Sequence, residues 1–494
     1  MRLNAREVEA QSKDPIEIGE PTMTDGGWAT GLPGNVHLLG AGGAGLSGAG
    51  LHLLDQGHVV TGQDLADSDF VDDLRSAGAR VEVGPSRAAS LPADCEVVVH
   101  SAAVPAEDEQ LVEARRRGLP SMLYSSLLGR IARPASTCAV AGTHGKTTTS
   151  WMLWHALCGA ARVRPGALIG GRHRGLERGA LPPEPGGRVV LEACEYDRTF
   201  HNLRPFAGII TNIEPDHLDV YGTLAAVEEA FAEFVALLDP AGLLVTGEGI
   251  PDHVCEAAPC EVWRLGEELA LDLGEADLGR ARGRLCGPGF ETPLELAVPG
   301  DFNALNAALG IALAVGLEGR DSGRARAAAE EVARFEGAGR RYEPWGHAPG
   351  VRVVHDYAHH PTEVRATLTA ARASAPEEEL VVLFQPHQAS RTAHFLDGFV
   401  DALCAADRLV IADVYGARKQ LDGHMAGAAE LVAGVEARGT PARLGGPPSD
   451  ASGVLLEELG RGDERPALVL VLGAGDIDTI RPELMASLQE LRGG

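Results

Sequence analysis

The chain has 494 residues, 45% of them hydrophobic, which is material for about three domains at roughly 150 residues each. Its 70 acidic residues outnumber 43 basic ones, and the net charge of −27 argues against nucleic acid or an anionic membrane surface as the main partner. The eight cysteines contain no C-x-x-C pair, residues 1–20 hold no apolar signal-peptide core, and no apolar run is long enough to span a membrane, so a cytoplasmic enzyme with reduced thiols is expected.

Residues 1–33 are polar, acidic and broken by Gly and Pro, and a disordered tail is predicted there. A first α/β domain is expected over 34–133. Val36–Leu39 reads as a strand, followed by Gly40-Ala-Gly-Gly-Ala-Gly45, an apolar helix, and a strand from His58 to Thr61 ending near Asp64. Gly40, Gly42 and Gly45 fit G-x-G-x-x-G, with Asp64 as the acidic residue beyond it. Alone, that pattern suggests an NAD-dependent oxidoreductase. The same turn cradles any diphosphate at a helix N-terminus, and such glycines also serve close helix–strand packing. Further strands at Val81–Val83 and Glu96–Val99 alternate with helical stretches, as in a Rossmann-like domain.

A second α/β domain is expected over 134–338. Cys138–Val140 reads as a buried strand, and a helical pattern follows from Ser150 with Trp151, Leu153, Trp154 and Leu157 as its apolar positions. Between them lies Gly142-Thr-His-Gly-Lys-Thr-Thr148, a P-loop-like turn with Val140 where the first Gly of G-x-x-x-x-G-K-[ST] would stand. Backbone N–H groups of Gly142, Thr143, His144 and Gly145 suit a nucleotide phosphate. Lys146 suits its outer phosphates, and the hydroxyl of Thr147 or Thr148 suits Mg²⁺. Glu192 closes the apolar run Val189–Leu191 and is the preferred metal carboxylate, Glu195 and Asp197 reading as solvated loop acids. Gly208–Thr211 is another strand leading to Asn212-Ile-Glu-Pro-Asp-His217, which places His217 at a binding edge, either as a ligand or simply exposed. Thr223 is the predicted N-cap of a helix buried through Leu224, Val227, Phe231, Phe234, Val235 and Leu238. Asn303 and Asn306 share a face of an Ala/Leu-rich helix, for a base, a ribose or backbone capping.

A third α/β domain is expected over 339–494. The strand Val351–Val354 runs into Asp356-Tyr-Ala-His-His-Pro361, and Leu380–Phe384 runs into Gln385-Pro-His-Gln-Ala-Ser-Arg-Thr392. Strands at Arg408–Val414 and Ala467–Leu472 complete a pattern that predicts a parallel sheet with helices on both faces.

Taken together, these motifs resemble the Mur ligases of bacterial cell-wall synthesis. The matches are His37-Leu-Leu-Gly-Ala-Gly-Gly-Ala-Gly-Leu-Ser-Gly48, Ala141–Thr149, Ile169-Gly-Gly171, Asn212–His217, Asn303-Ala-Leu-Asn306, Arg340-Arg-Tyr-Glu343, Asp356–Glu363 and Phe384-Gln-Pro-His387. The first and the His359-His-Pro-Thr-Glu363 segment look like the member that joins L-alanine to UDP-N-acetylmuramate. The resemblance implies a UDP-binding Rossmann-like domain, a central P-loop ATPase-type domain and a C-terminal Rossmann-like domain. It implies ATP and Mg²⁺ as cofactors, an acyl-phosphate intermediate, and UDP-N-acetylmuramate with L-alanine as partners, in a monomer or homodimer. A recycling ligase that adds a whole peptide to the same UDP-sugar is the alternative.

Residue by residue, the resemblance assigns Gly40, Gly42, Gly43, Gly45, Ser47 and Asp64 to the UDP part. Gly142 to Thr148 would hold ATP phosphates around Lys146. Thr147 and Glu192 would hold one Mg²⁺, and Glu192 with His217 a second. Asn303 or Asn306 would meet the adenine, Arg341 and Asp356 the nucleotide, and His359, His387 and Arg391 the amino-acid side. Three departures stand out: Gln388 replaces an Arg, Cys194 and Tyr196 replace the commoner acidic-loop residues, and Phe302 replaces a His. A closure of the third domain about Gly337–Gly339 is expected to exclude water from the acyl phosphate.

Overall fold

The computed structural model describes residues 22–24, 27–29, 32–132, 136–176, 178–275, 280–416, 427–461 and 465–493. Within the stretch predicted to be a disordered tail, Thr22–Thr24 and Gly27–Ala29 pair as a short antiparallel hairpin. Residues 1–21 and the predicted boundary at 133/134 lie outside the described residues.

Short Val/Leu/Ile-rich runs, too short for helices and buried on both faces, form the strands of three large sheets. The first sheet has the order Arg80–Val83, Val59–Asp64, Asn35–Leu39, Val97–His100, Ser121–Leu123, all parallel. The second runs Arg178–Leu181, Gly166–His173, Val189–Glu192, Thr137–Ala141, Ala207–Ile210, Leu243–Thr246, Glu261–Arg264. The third runs Glu343–Ala348, Val351–Asp356, Ala467–Leu472, Glu379–Phe384, Arg408–Ala412, Ala442–Gly446. Parallel pairing puts the C-terminal ends of neighbouring strands on one edge, where the chemistry-bearing loops emerge.

Two edges depart from the all-parallel expectation. Arg178–Leu181 runs antiparallel to Gly166–His173, and Glu343–Ala348 runs antiparallel to Val351–Asp356. In each case a short connection returns the chain directly, which only an antiparallel hairpin allows. A smaller sheet, Ala270–Leu273, Arg280–Gly287 and Phe290–Pro299, was not anticipated in the sequence.

Contacts divide the chain into two compact units, 1–270 with 286–291 and 307–332, and 271–285 with 292–306 and 333–494. In the first unit the Ala44–Asp55 helix covers the first sheet and also faces the second. A Cβ at Gly50 would lie 2.7 Å from Leu38 and 2.8 Å from Leu74, and one at Gly48 would lie 3.5 Å from Leu168. One apolar cluster accordingly runs from Val36 through Leu168 and Leu191 to Cys255. Arg172 adds ion pairs at 3.1 Å to both Asp69 and Asp73.

The central helix begins at Lys146, a full turn before the apolar pattern, and continues to Ala160. It is buried on nearly every side rather than along one stripe, because Gly310 of the Asp301–Glu318 helix approaches so closely that a Cβ there would sit 3.0 Å from the Leu153 nitrogen. The Leu224–Val235 helix starts as expected, with the Thr223 hydroxyl accepting the Ala226 N–H. No described helix is long and apolar enough to cross a membrane.

Candidate active site

The Thr137–Ala141 strand is wholly buried and delivers the chain into the Gly142–Gly145 turn, whose end glycines have φ of 140° and 81°. A Cβ at Gly142 would strike the Thr211 hydroxyl, so the turn requires glycine there for space as well as for backbone angle. The neighbouring strand Ala207–Ile210 supplies the brace. Asn212 Oδ1 accepts the His144 N–H at 2.8 Å, its backbone carbonyl accepts the Thr143 N–H at 3.0 Å, and its Nδ2 donates to the His144 carbonyl at 3.1 Å. Thr211 Oγ1 donates to the same carbonyl at 2.6 Å, and Thr143 Oγ1 accepts the Glu214 N–H at 2.9 Å. The helix that follows has no side-chain cap and no acidic residue in its first turn, which leaves its positive end for an anion.

Lys146 Nζ bends back over this turn, donating to the carbonyls of Gly142 at 2.7 Å and Thr143 at 3.1 Å and pairing with Glu195 at 2.9 Å. Burial alone would lower the ammonium's pKa; the Glu195 carboxylate outweighs it, with Cys194 and Glu192 adding to the effect, and the pKa stands above its ordinary value. Glu195 is therefore not the solvated loop acid the sequence suggested: its side chain is 4% exposed. Its backbone carbonyl also accepts the Tyr221 hydroxyl. No local pattern marks Glu195, because its partner lies 49 residues away.

Of the two adjacent threonines, Thr147 is the one that meets the strand-end carboxylate. Its hydroxyl lies 3.0 and 3.1 Å from the two oxygens of Glu192, and the Gly170 N–H holds one of them at 2.9 Å. Thr148 is half-buried beside them. His217, at φ 51°, caps a short helix; its Nε2 lies 3.7 Å from Glu195 and 3.8 Å from Asp216, and the Tyr196 ring meets its imidazole edge-on at 5.0 Å. Burial, reinforced by the Glu195 charge, pushes the Cys194 thiol up to about 12, so it stays protonated. The two departures at Cys194 and Tyr196 thus flank Lys146 and His217 directly.

The glycine loop of the first sheet lies in the same unit. Gly40 has φ 80° and its N–H, with that of Ala41, donates to the Gln63 carbonyl. The Asp64 carboxylate accepts the Gly42 N–H at 2.7 Å and the Ala66 N–H at 3.2 Å, which ties the loop to the end of the second strand. Gly43 donates to the Gly40 carbonyl at 3.1 Å, and the buried Ser47 donates to Ala44 at 3.0 Å, within its own helix. A cleft of about 210 Å³ runs from Gly45 and Tyr124 past Gly170 to Glu192 and Cys194.

In the second unit, Asp356 accepts N–H groups from Tyr342 at 2.7 Å and Ala358 at 2.8 Å; burial raises its pKa and the nearby Arg341 opposes that. Arg341 reaches Glu363 at 3.6 Å and lies over the Tyr357 ring. His359 Nδ1 sits 3.0 Å from the Tyr357 carbonyl and 3.1 Å from Glu363, and its ring is 5.6 Å from that of His387, which stacks on Tyr415. Arg391 is buried in the short Ala389–His394 helix, whereas Gln388 is exposed with φ 64°. Asn303 donates to the Pro299 carbonyl at 2.6 Å, and Asn306 donates to Asn303 at 3.4 Å. Capping of the helix start therefore occupies part of the Asn303 amide. Phe302 packs on Gly300, where a Cβ would lie within van der Waals distance of its ring.

These features, a nucleotide-type glycine turn with a Thr–Glu oxygen pair and a second glycine loop beside it, define an ATP-using ligase of three α/β parts. The chain belongs to the Mur ligase family: residues 35–135 match the Mur ligase family catalytic domain, 140–314 the Mur ligase middle domain, and 340–475 the Mur ligase glutamate ligase domain. It is similar to the UDP-N-acetylmuramate–L-alanine ligase of Kineococcus radiotolerans, with 43% identity over 472 residues, 92% of this chain and 97% of the relative. It is 40% identical to the ligase of the same name from Rubrobacter xylanophilus, over 92% of this chain and 100% of that one. Among solved structures it is similar to the UDP-N-acetylmuramate-alanine ligase of Thermotoga maritima, with TM-score 0.76 and 26% identity over 92% of this chain and 99% of the other.

Proposed function

We propose that the chain joins L-alanine to UDP-N-acetylmuramate at the expense of ATP, a step in building the peptidoglycan precursor in the cytoplasm. The observation that carries this reading is the placing of Lys146, Thr147 and Glu192 at one sheet edge, in the same compact unit as the Gly40–Gly45 loop. Family membership and the full-length relatives support it. In domain terms, 34–133 hold the UDP-sugar, 134–338 the ATP, and 339–494 the amino acid, in a monomer or homodimer.

The substrate carboxylate attacks the γ-phosphorus of ATP, the bond to the β–γ bridging oxygen breaks, and ADP leaves. The amino group of L-alanine then adds to the acyl phosphate carbonyl, loses a proton, and expels inorganic phosphate. Both steps bring anions together, so the site must offset charge without spending reorganisation at the moment of reaction. Lys146 supplies a fixed ammonium, locked by Glu195 and two carbonyls, and the first-turn N–H groups of its helix supply dipoles. The hard oxygen donors of Thr147 and Glu192, already within 3.1 Å of each other, fit Mg²⁺, and Glu192 with His217 would serve a second ion. Such an ion neutralises charge on the phosphate oxygens when bound. Asn303 or Asn306 serve the adenine, Arg341 and Asp356 the nucleotide, and His359, His387 and Arg391 the amino acid.

The test is phosphate release with ATP, Mg²⁺ and UDP-N-acetylmuramate, offering L-alanine, glycine, L-serine and a muropeptide tripeptide in turn. Strong release with L-alanine is expected. Release with the tripeptide only would make the chain a recycling ligase, and no release with any acceptor would overturn the ligase reading. NAD binding, with no turnover, would return it to the oxidoreductase alternative.

A further inference from the structure

Tyr124 opens the Tyr124–Ala132 helix, directly after the last strand of the first sheet. Its ring is laid across the first turn of the glycine-loop helix so closely that a Cβ on Gly45 would be 2.8 Å from both Cζ and the hydroxyl. The same side chain lines the cleft that ends at Glu192 and Cys194. Among the described residues no hydrogen-bond partner for its hydroxyl is present. A half-buried phenol that serves packing alone is as well served by Phe; a hydroxyl held without a partner beside a substrate cleft loses solvation and gains nothing in the free protein.

The surroundings also fix its protonation. Burial, then the nearby Glu192 carboxylate and Cys194, push the phenol well above its ordinary pKa, so it is an O–H donor throughout the working range. A donor is what an anionic substrate group needs as it approaches the Glu192 end of the cleft, where another carboxylate already stands.

We infer that Tyr124 is a substrate-binding residue whose hydroxyl donates a hydrogen bond to the carboxylate-bearing sugar portion of the UDP-linked substrate, between the glycine loop and the Lys146–Glu192 edge. This rests on the functional reading given above and adds a determinant that selects a sugar acid over a plain UDP-sugar. Gly45 belongs to the same device, since only a residue without a side chain leaves the ring its place.

The experiment compares wild type with Tyr124→Phe, which keeps the ring over Gly45 and removes one oxygen. Calorimetric binding is measured for UDP-N-acetylmuramate and for UDP alone, with steady-state KM values for ATP and L-alanine alongside. The expected result is roughly tenfold weaker binding of the sugar acid, the size of one hydrogen bond to a charged group, with UDP binding and the two other KM values unchanged. Equal affinity of both proteins for the sugar acid overturns the inference while leaving the functional reading intact. A matching loss for UDP alone also overturns it, because the hydroxyl would then serve the diphosphate. If wild type binds UDP but not the sugar acid, the functional reading fails and the inference falls with it.

Discussion

The buried carboxylate of Glu195 lies 2.9 Å from Lys146 Nζ and 3.7 Å from His217 Nε2, so a single anion sits between the nucleotide-loop ammonium and the imidazole of a different loop. Glu195→Gln keeps the shape and removes the charge. Lys146 retains two carbonyl acceptors but loses its only described counter-charge in direct contact, and breaking a buried pair from one side costs about 3 kcal/mol. A lower urea midpoint at unchanged m-value is expected. A shift below about 0.5 kcal/mol would mean that the loop carbonyls suffice for Lys146.

The pairing of Thr147 with Glu192 makes a second prediction. Thr147→Val and Glu192→Gln are each expected to lower kcat/KM for ATP by about 100-fold, the usual scale for losing one preorganised electrostatic group. Both are also expected to raise the Mg²⁺ concentration needed for half-maximal phosphate release. If the Mg²⁺ titration of either variant overlays wild type, that residue is not a ligand.

Asn212 grips the nucleotide turn through its side chain twice, at His144 N and at the His144 carbonyl. Asn212→Ala strands both groups, at about 1 kcal/mol or slightly more each. The expected outcome is an ATP KM raised about tenfold, with KM for L-alanine unchanged. A variant with normal ATP KM would show that Thr211 and the Thr143–Glu214 contacts hold the turn by themselves.

Stability should also depend on pH in the mildly acidic range. Burial pulls His37 and His52 down to about 4 and His355 to about 3, the last with help from Arg340, Arg481 and Arg341. Unfolding releases them to 6.5, so between these values the unfolded chain holds more protons and acid favours it. Stability is full above about pH 6.5 and falls progressively toward pH 4. Thermal melts across that window should show a declining Tm, and a flat profile would contradict the buried neutral imidazoles.

The sequence carried the phosphate turn, Glu192 and the glycine loop because each combines a short apolar run with a turn at its C-terminal end, a local pattern. Glu195 was misjudged and the brace at Asn212 was not foreseen because their partners come from strands adjacent in space and distant in sequence. A hint did exist: Ala207–Ile210 pairs with Thr137–Ala141, so the loops leaving them had to be neighbours. Tyr124 gave no signal, since a single aromatic at a helix start is ordinary. The antiparallel edges were missed for a different reason: Gly166–His173 and Glu343–Ala348 are rich in Gly and polar residues, and lack the continuous apolar runs of the central strands.

The Ala44–Asp55 helix has a consequence for recombination. Because it presents Leu38 and Leu74 contacts on one side and faces Leu168 and Ala180 on the other, the first two sheets share one apolar interior. Chimeras that exchange residues 34–133 between family members would therefore mix two halves of a single core. Such exchanges should succeed only when the 166–181 hairpin travels with the helix from the same parent.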